Sequence, residues 1–159
     1  MGAFSLRALF RRSGCRAAAP DRRRNLRNRP KPGCKVLVVD DSKTVRHHVK
    51  NMLRQGGFEV IEAADGAAAV ALAGRHRPSL ILMDIVMPGV NGFQATRRLR
   101  RNHETARIPI VIMSGDREAT HRFWGARIGA SDFLPKPFDR FDLYRRVEKL
   151  LFDNDISPV

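Results

Sequence analysis

Asp40 and Asp41 follow KVLVV, Asp84 follows LILM, Ser114 follows IVIM and Lys136 follows DFLP, so each apolar run closes on a polar or charged side chain. If those runs are parallel strands, these groups meet on one rim of one sheet and place three carboxylates, a hydroxyl and an ammonium in a single pocket. Crowded carboxylates repel unless a proton or a cation relieves them. Mg2+ suits such a crevice, because it takes oxygen ligands in octahedral geometry and keeps several waters. A carboxylate beside a divalent ion, as Asp84 would be, can attack a phosphoryl group as a nucleophile. Lys136 can supply a point charge to the phosphate oxygens, and the Ser114 hydroxyl a hydrogen bond. Phosphorylation adds about −1.5 to −2 of charge at one spot, enough to draw both inward. The pattern describes a magnesium-dependent aspartyl-phosphate site. Adjacent Asp40-Asp41 also permits a plainer reading as an N-cap pair for the following helix.

These residues need a scaffold, and the alternation of short apolar runs with amphipathic stretches supplies one. Candidate strands are 36–40, 58–62, 80–84, 109–113 and 132–135. Between them, Val45, Val49, Met52 and Leu53 form one helical stripe that stops at Gly56-Gly57. A second helix starts from Asp65 as N-cap and runs to Gly74. A third follows Gly92, with Phe93 and Leu99 inward and Arg97, Arg98, Arg100 and Arg101 outward. A fourth falls around Phe123 and Trp124, which are read as packing residues. The last begins after Asp139 and carries Leu143, Val147, Leu150 and Leu151 on one face. Strict strand-helix alternation predicts an α/β fold, an open doubly wound five-stranded parallel sheet covered on both faces. In such sheets the ligand crevice lies beyond the carboxyl ends of the strands, where the strand order reverses.

Composition narrows the classes further. At 159 residues and 43% apolar content the chain can bury one core of ordinary domain size. No window approaches about 18 uninterrupted apolar residues, and Arg7 interrupts the first apolar stretch before a secretory signal forms, so no membrane span and a cytoplasmic location are expected. Cys15 and Cys34 fit neither a zinc spacing nor a disulfide framework. Residues 1–33 hold nine arginines and Lys31 against Asp21, which puts +9 of the +14 formal charge in one stretch. That stretch lacks apolar periodicity and reads as a disordered basic extension. It is an electrostatic arm for nucleic acid, anionic lipid or an acidic partner, or else a solvated extension, or a stretch upstream of a misassigned start. Residues 34–153 would form the folded domain and 154–159 a short tail.

Taken together, VLVVDDSKTVR, LILMDIVMPGVNGF, IVIMSG and GASDFLPKPF resemble the CheY-like receiver domain of two-component response regulators, over roughly residues 35–152. The resemblance implies a flavodoxin-like (βα)5 fold with strand order 2-1-3-4-5. It implies Asp84 as phospho-acceptor, Asp41 and Asp84 as direct Mg2+ ligands, Asp40 acting largely through water, and the Val86 carbonyl as a further ligand. It implies Ser114 and Lys136 as reporters of the phosphate to the face formed by the fourth helix, fifth strand and fifth helix, with Phe133 as the switch aromatic. DIVMPGVNGFQATRRLR and FWGARIGASDFLPKPF are most similar to the stand-alone receivers of type IV pilus twitching-motility systems. Departures from the family pattern are Ser114 in place of the commoner threonine, Phe133 without a phenolic hydroxyl, and Pro135 before the lysine.

The implied protein is a signalling switch rather than a turnover enzyme. A sensor histidine kinase or histidine phosphotransfer domain would phosphorylate it, and an unidentified downstream protein would receive the signal. Only FDNDISPV remains after the last helix, so output is expected through protein contact or as a phosphate sink for a sibling regulator. Arg117, Arg122, Arg127, Arg140, Arg145, Arg146 and Lys149 would make the output face basic, either suited to an acidic partner or simply a solvated helix surface. A different class, the haloacid dehalogenase type of phosphohydrolase, puts its nucleophile in a DxD after the first strand, whereas this chain has DD. A third reading has the arginine-rich extension binding nucleic acid under control of the receiver. His47 and His48 are neighbours in sequence and cannot share one helix face as a metal pair.

Overall fold

In the computed structural model, residues 33–115 and 129–152 are described. The predicted fourth helix, with Arg117, Arg122, Phe123, Trp124 and Arg127, lies outside them, as do nearly all of the basic extension and the last seven residues. In chain order the described elements are β1 (Lys35–Val39), α1 (Lys43–Gln55), β2 (Glu59–Ala63), α2 (Gly66–His76), β3 (Leu80–Asp84), α3 (Gly92–Arg101), β4 (Ile110–Ser114), β5 (Asp132–Pro135) and α4 (Arg140–Phe152). The strands are all parallel and ordered β2-β1-β3-β4-β5, as the resemblance implied.

The side-chain alternation of the strands divides the core into two layers. Leu37, Val39, Ile81, Met83, Ile110 and Ile112 face one way, against Ala69 and Ala73 of α2 and Ala95 and Leu99 of α3. Val36, Val38, Leu80, Leu82, Val111 and Met113 face the other, against Val49, Met52 and Leu53 of α1 and Leu143 and Val147 of α4. β3 and β4 are buried at every position, which is why they read as unbroken apolar runs. Tyr144 joins α4 to α1 by donating its hydroxyl to the Met52 carbonyl at 2.5 Å. Among the described residues, no helix is long and apolar enough to cross a membrane.

Local chemistry sets the boundaries. Asp65 caps α2 by accepting from the Ala68 amide at 2.8 Å, and Asn91 with Gln94 forms a capping box on α3. Asp139 accepts from the Asp142 amide at 2.8 Å and starts α4. β4 begins at Ile110 rather than Pro109, because proline has no N–H to give the ladder; its carbonyl still accepts from Ile81 at 2.9 Å.

Two arginines depart from their expected outward placement. Arg100 is half-buried, donating from Nη1 to the Ala106 and Ile108 carbonyls and from Nε to the Gly129 carbonyl. Arg146 is also half-buried and pairs with Asp132 at 2.8 Å, which removes its charge from the expected basic face; Arg140, Arg145 and Lys149 remain exposed.

Gly92 shows how closely the fold presses on the end of β3. A Cβ there would stand 2.2 Å from the Asp84 carbonyl oxygen and 2.9 Å from the Ile85 Cα. Alanine is the better helix former by about 1 kcal/mol, yet overpacking against backbone costs about 1–3 kcal/mol, and a contact this short belongs at the upper end. We expect Gly92→Ala to lose about 1–2 kcal/mol net in urea denaturation and to displace Asp84. Unchanged stability would show that the packing around the end of β3 can relax to admit a methyl group.

Candidate functional site

The strand order reverses between β1 and β3, with β2 on one side and β3 and β4 on the other, so the crevice beyond their carboxyl ends is where a ligand would sit. Val39 pairs with Met83, which puts the next residues, Asp40 and Asp84, level with one another. Asp84 pairs with Met113 and Ser114 with Pro135, so the serine and Lys136 follow along the same rim. Lys136 is further aligned by its amide, which donates to the Ser114 carbonyl at 2.9 Å; the peptide bond that follows, to Pro137, is cis.

The carboxylates of Asp40, Asp41 and Asp84 each offer an oxygen within 4.8 Å of the others. Asp40 is 1% exposed and Asp84 6%, while Asp41 faces solvent. The Lys136 ammonium donates to Asp40 Oδ2 at 2.6 Å and to Asp84 Oδ1 at 2.8 Å. Ser114 is buried at 3% exposure. The reading of Asp40-Asp41 as a cap pair is corrected: Ser42 is the N-cap of α1, its hydroxyl accepting from the Val45 amide. The acids precede the cap, and Asp40 Oδ1 accepts instead from the Ser42 amide at 2.9 Å.

Burial is the largest influence on Asp84 and pushes its carboxyl above the usual range; the hydrogen bond and charge of Lys136 oppose it, and Asp40 and Asp41 reinforce it. Burial works to lower Lys136, but its hydrogen bonds and attraction to Asp40 and Asp84 outweigh that, and the ammonium is held above its ordinary value. Three carboxylates against one ammonium leave a formal charge of about −2 when all are ionised, which a divalent cation matches. An all-oxygen donor set, part buried and part open, fits Mg2+ in chemistry and charge.

Val86 lies in the connection after β3 with its side chain 62% exposed. Phe133 is half-buried on β5, paired in register with Ile112 and packed against the α2–α3 layer. His47 and His48 are exposed on α1, where His47 Nε2 meets Asn51 Nδ2 at 3.0 Å. Sequence reasoning missed Arg46, whose guanidinium touches the carbonyls of both Asp40 and Asp41. Its place in the first turns of the helix after the acidic pair was the available signal.

A parallel sheet with an acidic cluster, a buried serine and a paired lysine at its carboxyl edge defines a phosphate-signalling class, and residues 36–148 match the response regulator receiver domain: the chain belongs to that family. In particular it is 44% identical over 117 residues to Protein PilH of Pseudomonas aeruginosa, covering 74% of this chain and 97% of PilH. It is 36% identical over 124 residues to the DNA-binding dual master transcriptional regulator RpaA of Synechocystis, covering 78% of this chain but 52% of RpaA. Among solved structures, Vibrio cholerae chemotaxis protein CheY4 superposes with a TM-score of 0.69 at 33% identity, covering 74% of this chain and 98% of that one. The receiver domain of the Pseudomonas aeruginosa sensor histidine kinase PA1611, solved with a magnesium ion coordinated in its active-site cleft, gives 0.70 at 34% identity over 75% and 98%.

Proposed function

We propose that this chain accepts a phosphoryl group on Asp84 in a magnesium-dependent reaction and passes the resulting change to a protein partner. The observation that carries this reading is the Lys136 ammonium held 2.6 Å from Asp40 and 2.8 Å from Asp84, inside a cluster of three carboxylates. Asp40, Asp41, Asp84 and the Val86 carbonyl would hold Mg2+, which when bound neutralises charge on the acceptor and on the incoming phosphate. An Asp84 oxygen attacks phosphorus, the phosphorus–nitrogen bond of a phosphohistidine breaks, and the imidazole leaves with the electron pair. Lys136 then pairs with the new phosphate oxygens, and Ser114 donates its hydroxyl to them. Ser114 ends β4 and Phe133 lies on neighbouring β5, so a shift of the serine reaches the aromatic through adjacent strands.

In this reading the donor is a sensor histidine kinase or a histidine phosphotransfer domain in the cytoplasm. The similarity to PilH supports a place in type IV pilus signalling, as the resemblance of DIVMPGVNGFQATRRLR suggested. The test is incubation with acetyl phosphate and Mg2+ followed by intact mass. Wild type gains one phosphoryl group and Asp84→Asn none. Equal gain by both would reject Asp84 as the acceptor.

A further inference from the structure

Arg46 reaches back from α1 to the acidic turn. Its Nη1 donates to the Asp40 carbonyl at 2.7 Å and to the Asp41 carbonyl at 3.1 Å. The arginine side chain is 15% exposed, and its Nε stands 3.9 Å from Glu62 Oε1 on β2. Glu62 is held in turn by Lys50 at 2.5 Å. Asp40 is anchored several times over: its amide donates to the Ala63 carbonyl at 3.2 Å, and its carboxylate accepts from Ser42 and Lys136. Asp41 is different. Its carboxylate faces solvent while its carbonyl is tied to Arg46.

We propose that Arg46 is a positioning residue of the cation site. By gathering two successive carbonyls onto one nitrogen it fixes the peptide that carries Asp41, so that this exposed carboxylate stays within ligand distance of Asp40 and Asp84. Held this way, the two carbonyls are engaged by the arginine, and the turn offers the cation its carboxylates. Glu62 approaches the guanidinium through Nε and offsets part of a positive charge that would otherwise oppose a nearby cation. Outer-shell groups that orient metal ligands typically matter by about 10–100-fold in affinity. The inference rests on the proposed reading of the pocket as a divalent-cation site.

The experiment titrates Mn2+, a hard divalent probe suited to carboxylates, into the full-length protein. Free Mn2+ is followed by electron paramagnetic resonance, and the metal-free melting temperature is measured alongside. Arg46→Met is expected to weaken Mn2+ binding by about tenfold or more at a temperature where the protein stays folded. Arg46→Lys still presents one nitrogen donor to the two carbonyls and should recover most of that loss. Lys50 contacts Glu62 but neither turn carbonyl, so Lys50→Met should bind Mn2+ like wild type. An Arg46→Met variant with wild-type affinity, even with a lower melting temperature, would make Arg46 an ordinary brace and overturn the proposal. Equal losses in Arg46→Met and Lys50→Met would overturn it too, by assigning the effect to a general loosening of the contacts between α1 and β2. If Arg46→Met does not fold, Arg46→Gln gives the same two readouts. Failure of the wild type itself to bind Mn2+ is a separate result, which removes the cation site and this proposal with it.

Discussion

Lys136→Met should cost the metal-free protein about 2–3 kcal/mol at neutral pH and should slow its phosphorylation sharply. Removing one partner of a buried ion pair commonly costs about 3–5 kcal/mol; the Lys136 side chain is 24% exposed, which places the effect at or below the lower end. The substitution leaves Asp40 and Asp84 buried without their ammonium. The pH dependence has a definite sign. Asp84 titrates above its ordinary value of 3.8 in the fold, so its ionisation already subtracts stability as pH rises through the window above that value. Without Lys136, which opposes the shift, that window extends upward. The gap between variant and wild type should therefore narrow at acidic pH, where Asp84 takes a proton, and also on adding Mg2+. For wild type, the raised Lys136 contributes stability that is complete below 10.5 and lost only as pH rises through its folded value. Urea denaturation at neutral and acidic pH, with and without Mg2+, checks all of this. A gap independent of both pH and metal would point to packing in place of charge.

The second large effect separates metal from fold. Asp41 is exposed, so Asp41→Ala should leave metal-free stability within about 0.5 kcal/mol of wild type. The same change removes one of the three carboxylates proposed to hold the metal, and Mg2+-dependent modification by acetyl phosphate should disappear. At Mg2+ about one hundred times its Kd, wild type should gain about 2.7 kcal/mol of stability, and Asp41→Ala should gain almost none. Thermal melts across a Mg2+ series give the comparison. Full metal stabilisation of Asp41→Ala would remove Asp41 from the ligand set.

Much of the architecture was legible because the strands and helices carry their own periods. LILMD could be read as a doubly covered strand from its unbroken apolar run, and Asp65 as a cap from its place before an alanine-rich turn. The site was legible for the same reason, since strand ends in a parallel sheet share one rim, and Asp40, Asp41, Asp84 and Lys136 do meet there. What escaped was of a different kind. Arg46 and Arg100 satisfy backbone carbonyls; the place of Arg46 just after the acidic pair hinted at its contacts, whereas nothing in the spacing around Arg100 marks the carbonyls it meets. In the sequence Gly92 reads only as the residue before the third helix, but it is required by contact with the Asp84 peptide across a loop. The true cap of α1, Ser42, was masked by two aspartates that are equally good caps by residue type.

Where the phosphoryl group lands decides the role of Asp84. After treatment with acetyl phosphate and Mg2+, borohydride reduction of the acyl phosphate converts the modified aspartate to homoserine, and tandem mass spectrometry of the peptides locates it. We predict homoserine at position 84 and at neither 40 nor 41. Homoserine at either of those positions, or a protein left unmodified under these conditions, would contradict the assignment of Asp84 as the acceptor.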